Sequence, residues 1–259
     1  MSPKERLYSD LSWLWPMWGD PAGEYADYVQ QVIAWIGKYG RRKYRTVLDL
    51  GCGGGKCSFT LKDHYEVMGL DLSPDMLARC QELNPGLATV CADMRSFDLK
   101  REFDIILVND AISYITTEGD LRQVLDNCFR HLEDDGLAIL TPDICQEEFI
   151  QNETNVFHSI PHPDHPDTQV VYITINYDPD PADNKYECLF LYVIRSPEGL
   201  RVERDLHHLG VFSLSTWQRC IRESGFDYHL EEYTGEEGKY RTLILFKTGG
   251  SHGSHDNDQ

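Results

Sequence analysis

The sequence predicts an α/β fold in which a doubly wound, mostly parallel sheet of seven strands is joined to a smaller antiparallel unit. Short apolar runs such as Thr46–Leu50 and Phe103–Val108 alternate with helical patterns in the first half of the chain, as in a parallel sheet. After Pro142, apolar and polar side chains alternate between residues 171 and 177, as in an antiparallel strand. We therefore expect an inserted antiparallel β meander that forms a cap.

The elements of the parallel unit follow from local signals. Asp20-Pro21 predicts the start of the first helix, which we expect to end at Gly40. Ser73-Pro74 predicts another helix start, since the serine hydroxyl can cap free N–H groups and the proline ring fixes a helical φ. Asp134-Asp135-Gly136 predicts the end of the helix before the last parallel strand. The five parallel strands are predicted at residues 46–50, 65–70, 88–91, 103–108 and 137–140.

The second half of the chain is organised differently. Residues 144–167 are polar and rich in histidine and proline, which predicts an irregular loop or lid. Its histidines, His158, His162 and His165, are separated by prolines that prevent a regular helix, so we expect no metal site there. Five further strands are expected, three in the meander and two that close the main sheet, at residues 171–177, 187–194, 200–209, 228–233 and 242–246.

Composition and charge limit the classes of partner. The 259-residue chain has 41% hydrophobic residues and a formal net charge of −19, which repels phosphate backbones, so we expect no nucleic acid partner. No apolar run approaches the roughly 20 residues of a membrane-spanning helix, and no signal-peptide pattern is visible, so we expect a cytoplasmic protein without membrane association. The eight cysteines include no CxxC pair and are interpreted as buried thiols. The composition fits a monomer and a dimer equally.

The most informative stretch is VLDLGCGGGK, residues 47–56, in which an apolar strand ends in a glycine-rich turn before a helix. Such a turn presents backbone N–H groups and the positive end of a helix dipole to a ligand. The spacing is Gly51-x-Gly53-x-Gly55, preceded by Asp49. The turn therefore predicts a cofactor site at the carboxyl end of the strand.

Two common cofactor motifs do not match this turn. A phosphate-binding loop requires GxxxxGK followed by Ser or Thr, but Leu50 stands at the first glycine position and Cys57 follows the lysine. The dinucleotide motif GxGxxG fails at Lys56. A nicotinamide cofactor is thereby disfavoured. Lys56 could meet an anionic group, but the simpler interpretation is a surface lysine.

The turn resembles motif I of the class I S-adenosylmethionine-dependent methyltransferases, and the similarity continues in order along the chain. The segment ERDLHHLGVFSLSTWQRCIRESGF, residues 203–226, resembles the histidine-containing strand and following helix of bacterial small-molecule methyltransferases, a subgroup that includes sugar N-methyltransferases. Four further segments resemble the family's later strand motifs: GLDLSPDMLARC (69–80), ADMRSFDL (92–99), FDIILVNDAISYI (103–115) and HLEDDGLAILTPD (131–143). The resemblance implies a Rossmann-like fold, S-adenosyl-L-methionine as cofactor and S-adenosyl-L-homocysteine as product.

The resemblance also implies residues for the adenosine end of the cofactor. Asp71, at the end of the second strand, would accept both ribose hydroxyls; its alternative role as a helix cap is already filled by a serine. Asp93 would accept from the adenine amino group and Met94 would donate its backbone N–H. Leu72 and Met76 would pack on the ring, although Met76 fits the helix core equally well.

For the methionine end, the resemblance implies Asp49, Asn109 and Tyr25. Asp49 would hold the ammonium group directly or through water, and it could also accept from N–H groups of the turn. Tyr25 would bind the carboxylate, or would belong to the apolar stripe of the first helix.

Methyl transfer from a sulfonium is an in-line displacement, for which the protein supplies alignment and excludes water. An acceptor that must lose a proton needs a base, and His207 is our first candidate. Because side chains alternate along a strand, His207 and His208 face opposite sides; the structural alternative is that both serve the sheet surface. Tyr8, Asp110 and Tyr114 are further catalytic candidates.

The sequence thus predicts a methyltransferase that transfers a methyl group to nitrogen or oxygen of a small molecule. The alternatives are an RNA or protein methyltransferase, a nicotinamide-binding oxidoreductase and a non-catalytic S-adenosylmethionine-binding module. The expected segments are an N-terminal helical segment over the active site (1–40), a cofactor-binding core (41–143), a lid loop with the β insertion (144–211), a C-terminal helix with closing strands (212–248) and a disordered tail (249–259).

Overall fold

Two β-sheets and five α-helices are the main elements of the described part of the chain, residues 5–235 and 238–248 of a computed structural model. The helices are α1 (Glu24–Tyr39), α2 (Lys56–Leu61), α3 (Pro74–Leu83), α4 (Glu118–His131) and α5 (Leu214–Glu223). The strands are β1 (Thr46–Leu50), β2 (Glu66–Asp71), β3 (Ala88–Cys91), β4 (Phe103–Asn109), β5 (Leu132–Thr141), β6 (Thr154–His158), β7 (Gln169–Tyr177), β8 (Lys185–Ser196), β9 (Gly199–Gly210), β10 (Phe226–Gly235) and β11 (Gly238–Lys247). The expected disordered tail lies outside the described residues.

The main sheet has seven strands in the order β10-β11-β5-β4-β1-β2-β3. Strands β1 to β5 are parallel, whereas β11 is antiparallel to both β5 and β10. Its two faces are buried in separate clusters: Val47 of β1 packs on the side of α1, and Leu48 packs on the side of α4 and α5. The predicted fold class is confirmed. The strand order reverses between β1 and β4, where ligands bind in sheets of this type.

The second sheet is an antiparallel meander in the order β6-β7-β8-β9. One of its faces packs on the N-terminal segment, where Leu7 and Leu14 meet Tyr172 and Ile194, and the Tyr172 hydroxyl donates to the Leu14 carbonyl at 3.2 Å. The antiparallel insertion is therefore confirmed. The N-terminal segment links this sheet to the glycine turn of the main sheet.

The prediction of an irregular loop over residues 144–167 was wrong in its centre. Residues 154–158 form β6, in which Val156 pairs with Ile173 of β7. This edge strand has polar residues on both faces, so its sequence shows no alternation of apolar and polar side chains. Only Asn155 and Phe157 are half-buried, and the other three side chains are exposed.

Other boundaries differ from the prediction for local reasons. Helix α1 begins at Glu24, because the Asp20 carboxylate instead accepts the Ala22 N–H in a preceding turn. Strand β5 begins at Leu132, directly after α4, because Leu132 pairs with Phe103 and the register then shifts before the next pair. The cap at Ser73 is confirmed: its hydroxyl accepts from the backbone N–H two residues past the proline.

Candidate active site

A cavity of about 700 Å³ lies at the carboxyl ends of β1, β2 and β4. The glycine turn forms one wall, and both Gly51 and Gly53 border the cavity. Gly51 has φ +78°, and a Cβ there would lie 2.2 Å from that of Ala111. A side chain is therefore excluded by backbone conformation and by space. Gly55, with φ +77°, precedes α2 and does not border the cavity.

Asp71 lies at the end of β2 and borders this cavity. Its two carboxylate oxygens accept the N–H groups of Gly53 and Ser73, each at 2.8 Å. Burial raises the pKa of the carboxyl despite these bonds. A carboxylate has about four acceptor positions. The carboxylate can therefore still accept from hydroxyl groups of a ligand in the cavity.

Asp93, Met94 and Leu72 also border the cavity, on the side of β3. The Asp93 carboxylate accepts from Arg95, whose Nε lies 2.9 Å from one oxygen, and this hydrogen bond lowers the pKa of Asp93. Arg95 was not foreseen from the sequence. Met76 is fully buried on α3 and does not border the cavity, so the structure places it in the helix core instead of at the ring position expected for it.

Asp49 is the carboxylate at the other end of the cavity. It is 2% exposed on β1, and its carboxylate accepts a hydrogen bond of 2.5 Å from the Ser58 hydroxyl of α2. Burial raises the pKa of Asp49 to about 6. A cationic group bound beside it would stabilise the ionised form. Asn109, at the end of β4, borders the cavity nearby.

Lys56 lies in the wall of the cavity and is only 3% exposed, so the interpretation as a surface lysine was wrong. Its ammonium nitrogen lies 4.7 Å from the ring centre of Trp15 and 4.9 Å from that of Tyr25. Trp15 in turn packs on the turn, where a Cβ at Gly54 would approach it to 2.2 Å. The buried cation thus lies between the N-terminal segment, α1 and the start of α2.

A second cavity of about 450 Å³ adjoins the first. The meander contributes Asn155, Phe157, Tyr186 and Phe190 to its walls. The residues that border both cavities define their junction: Tyr8, Trp15, Tyr25, Asn109, Asp110 and Tyr114. One molecule in each cavity would therefore meet the other at these side chains.

The second cavity is acidic. Four carboxylates, those of Asp110, Asp143, Glu148 and Glu153, border it together with a single cationic side chain, Lys239, among the described residues. At neutral pH this balance attracts cations and repels anions.

Asp110 occupies the junction in a strained conformation. Its φ is +53°, in the region that favours glycine. Its backbone N–H donates to the Thr141 carbonyl at 3.0 Å, and its carboxylate accepts from the Asn109 amide at 2.7 Å. Strain of this kind costs about 1–3 kcal/mol and persists where the surrounding structure enforces it, commonly at functional sites.

A chain of hydrogen bonds leads inward from the junction. The hydroxyls of Tyr8 and Tyr114 lie 2.8 Å apart, and the Tyr114 oxygen lies 2.6 Å from Nδ1 of His207. Nε2 of His207 lies 2.8 Å from the Asp205 carboxylate, which also accepts the Leu7 N–H at 2.8 Å. Burial raises the pKa of both tyrosines. Burial also acts to raise the pKa of Asp205, but its hydrogen bonds, first of all the one from His207 and then those from backbone N–H groups, lower it overall.

The position of His207 corrects its expected role as a base in direct contact with substrate. Its side chain is 0% exposed and borders neither cavity, because Tyr114 lies between the imidazole and the junction. His208 points to the opposite side of β9 and is exposed, as strand alternation predicts. Asp205, two residues before His207 on the same face, was not foreseen.

Metal binding has no support in residues 5–235 and 238–248: no group of three or more His, Cys, Asp or Glu side chains there could hold an ion. The helices within those ranges are all too short or too polar to cross a membrane.

Several residues that border the first cavity lie in a part of the chain that matches a known protein family. Residues 47–136, which contain the glycine turn, Asp71, Asp93 and Asn109, match the family model of a methyltransferase domain. The chain therefore contains a methyltransferase domain, and it resembles the class I S-adenosylmethionine-dependent methyltransferases. It resembles sugar N-methyltransferases within that superfamily. This resemblance implies S-adenosyl-L-methionine as its cofactor.

Two relatives illustrate the similarity in sequence. A candidate methyltransferase of Geobacillus sp. (strain WCH70) is 24% identical over 213 residues, 80% of this chain and 82% of that protein. The dTDP-4-amino-2,3,4,6-tetradeoxy-D-glucose N,N-dimethyltransferase of Saccharopolyspora spinosa is 30% identical over 135 residues. This match spans 51% of each of the two chains.

Solved structures share the fold over nearly the whole chain. DesVI of Streptomyces venezuelae superimposes with a TM-score of 0.78 at 20% identity, covering 92% of this chain and 96% of that one. CalS10, an amino pentose methyltransferase from Micromonospora echinaspora, has a TM-score of 0.76 at 22% identity, with 88% and 94% covered. At these identities the likeness concerns the fold.

The residues around the first cavity fit the cofactor. Asp71 can still accept from ribose hydroxyls, and Asp49 offers a buried carboxylate to an ammonium group. Lys56 supplies a positive charge in the same wall, as a carboxylate requires. The glycines leave room for a ligand against the backbone. The donor set therefore matches both ends of S-adenosyl-L-methionine.

Proposed function

We propose that the protein methylates the amino group of a small, positively charged molecule that carries no phosphate. The observation that carries this proposal is the acidity of the second cavity, where four carboxylates face one lysine. An ammonium group is attracted by this field, whereas a neutral hydroxyl gains little from it. Nitrogen is accordingly favoured over oxygen as the methyl acceptor.

The junction residues support binding of the cofactor in the first cavity and of the methyl acceptor in the second. When bound, S-adenosyl-L-methionine supplies an activated methyl group, whose bond to sulfur breaks with its electron pair on sulfur as the acceptor nitrogen bonds to the carbon. The Asp110 carboxylate, held in place by Asn109 and Thr141, is suited to orient the amine. Trp15 and Tyr25 border the same region and would exclude water.

The relative from Saccharopolyspora spinosa is named for a substrate linked to dTDP, and here the proposal departs from it. A diphosphate in the second cavity would meet Asp143, Glu148 and Glu153. Of these, Glu148 is paired with Arg241 at 2.8 Å. The negative charge of Asp143 and Glu153 at this cavity favours an amino sugar or similar amine without the nucleotide.

The surroundings of the cavity are consistent with a small acceptor. The segment of residues 144–211 would act as a cap and the segment of residues 1–40 would close over the junction. The net charge of −19 disfavours nucleic acid as the methyl acceptor and is compatible with a cytoplasmic protein.

The test compares one amine with and without a diphosphate. The two substrates are dTDP-4-amino-2,3,4,6-tetradeoxy-D-glucose and the methyl glycoside of the same amino sugar. We expect a higher kcat/KM for the glycoside. A preference for the dTDP-linked sugar would contradict the proposal.

Two variants test whether activity on the glycoside depends on the acidic residues of the second cavity. Glu153→Gln should lower kcat/KM for the glycoside about tenfold or more, since a hydrogen bond to a charged group contributes about 1.5–3 kcal/mol. The control Glu66→Gln removes an exposed carboxylate, paired with Arg101, that borders neither cavity. It should leave kcat/KM unchanged. Equal behaviour of the two variants would speak against an acidic acceptor site.

A further inference from the structure

In the hydrogen-bond chain from Tyr8 to Asp205, the ionisation state of Asp205 determines which atom donates in each hydrogen bond. The lowered pKa of Asp205 keeps its carboxylate ionised, and an ionised carboxylate only accepts hydrogen bonds. Nε2 of His207 must therefore carry the hydrogen. In a neutral imidazole the other nitrogen, Nδ1, is then an acceptor.

The same reasoning extends to the two tyrosines. Their pKa values are raised by burial, so both hydroxyls keep their hydrogens at neutral pH. Tyr114 must donate to Nδ1 of His207, and Tyr8 must then donate to the Tyr114 oxygen. Every hydrogen in the chain points inward. What remains at the junction is the Tyr8 oxygen with its lone pairs.

We infer that Asp205 and His207 are positioning residues that make the Tyr8 oxygen a proton acceptor toward the amine. This inference rests on the proposed function, because it requires an acceptor group that must lose a proton. A protonated amine has no lone pair for the methyl carbon, so its proton has to leave before transfer.

The proton transfer balances along the chain. The N–H bond of the ammonium breaks, its electron pair stays on nitrogen, and the proton binds the Tyr8 oxygen. Tyr8 passes its own proton to Tyr114, and Tyr114 passes its proton to Nδ1 of His207. Both tyrosines remain neutral, and the imidazolium is stabilised by Asp205 at 2.8 Å. The chain then points outward and can return the proton to water through Tyr8.

The rival explanation is structural. The Asp205 carboxylate accepts the Leu7 N–H as well as the His207 N–H, and both bonds go to the same oxygen. The carboxylate could therefore serve only to hold the N-terminal segment on β9. An asparagine keeps one oxygen for these two bonds but has no negative charge for the imidazolium. Asp205→Asn thus separates the two roles.

The first measurement needs no substrate. Two-bond ¹H–¹⁵N correlation spectra of the full chain report which nitrogen of each histidine carries hydrogen, and His207→Gln identifies the His207 signals by their loss. We expect neutral His207 protonated at Nε2. A hydrogen on Nδ1 would reverse the chain and overturn the inference.

The second measurement is kinetic and uses the methyl glycoside described above. Asp205→Asn should lower kcat at least tenfold, while the Kd for S-adenosyl-L-homocysteine stays within twofold of wild type. Tyr114→Phe, which interrupts the chain but spares the contact with Leu7, should lower kcat similarly and leave His207 protonated at Nε2. Asp104→Asn, at a buried aspartate outside both cavities, should leave kcat unchanged.

The outcomes distinguish this inference from the proposed function. If Asp205→Asn retains wild-type kcat on a methylated amine, the structural explanation holds and only the inference fails. If no amine is methylated, the proposed function fails, and the tautomer of His207 still decides the direction of the chain.

Discussion

Asp49→Asn should stabilise the ligand-free protein at neutral pH, although it alters a residue of the cofactor cavity. Burial raises the pKa of Asp49 from 3.8 to about 6. The folded state therefore holds the proton more tightly than the unfolded state. The stability from this proton is fully present below about pH 4 and is lost as the pH rises through 6. The difference between the two pKa values corresponds to a loss of about 3 kcal/mol by pH 8.

The assay is urea unfolding of wild type and variant between pH 5 and 8. We expect the variant's advantage in unfolding free energy to grow with pH toward about 3 kcal/mol. Asp104→Asn is the matched control, since Asp104 is 7% exposed. Burial acts to raise the pKa of Asp104, but N–H donors and Arg42 lower it overall. That variant should therefore be destabilised at pH 7. An Asp49→Asn protein that is also less stable than wild type at pH 7 would refute the reasoning.

Two further predictions concern the walls of the first cavity. Gly51→Ala should lower the unfolding free energy more than Gly86→Ala, because both glycines have positive φ but only Gly51 is crowded, by Ala111. We expect calorimetric unfolding to show a difference of about 1–3 kcal/mol, and equal losses would mean that space is not limiting. Lys56→Met should weaken S-adenosyl-L-homocysteine binding about tenfold or more in titration calorimetry, whereas the exposed Lys62→Met should not. An unchanged Kd for Lys56→Met would show that the charge of Lys56 does not contribute to ligand binding.

The parts of the fold that local signals determine were predictable. The glycine turn, the cap at Ser73 and the alternating strands and helices each depend on neighbours in sequence. Strand β6 was not predictable by the same means, because its half-buried Asn155 and Phe157 alternate with side chains that include an exposed valine. The strand forms because its backbone pairs with β7, and this pairing cannot be read from the side-chain pattern of residues 154–158.

A place beside the first cavity was predictable for residues at the ends of strands, as Asp49, Asp71 and Asn109 are. The burial of Lys56 depends on Trp15, which is distant in sequence, so the residues around Lys56 did not predict its burial. Asp205 could have been found, because residues two apart on a strand share a face and His207 was already a candidate.

The most direct test of the central claim is the position of the transferred methyl group. The full chain is incubated with the amino sugar methyl glycoside, which carries an amino group and hydroxyl groups, and with cofactor deuterated in its methyl group. Fragmentation in a mass spectrometer then locates the label. We expect the deuterated methyl group on nitrogen. Label on a hydroxyl oxygen, or no transfer to this amine, would contradict it.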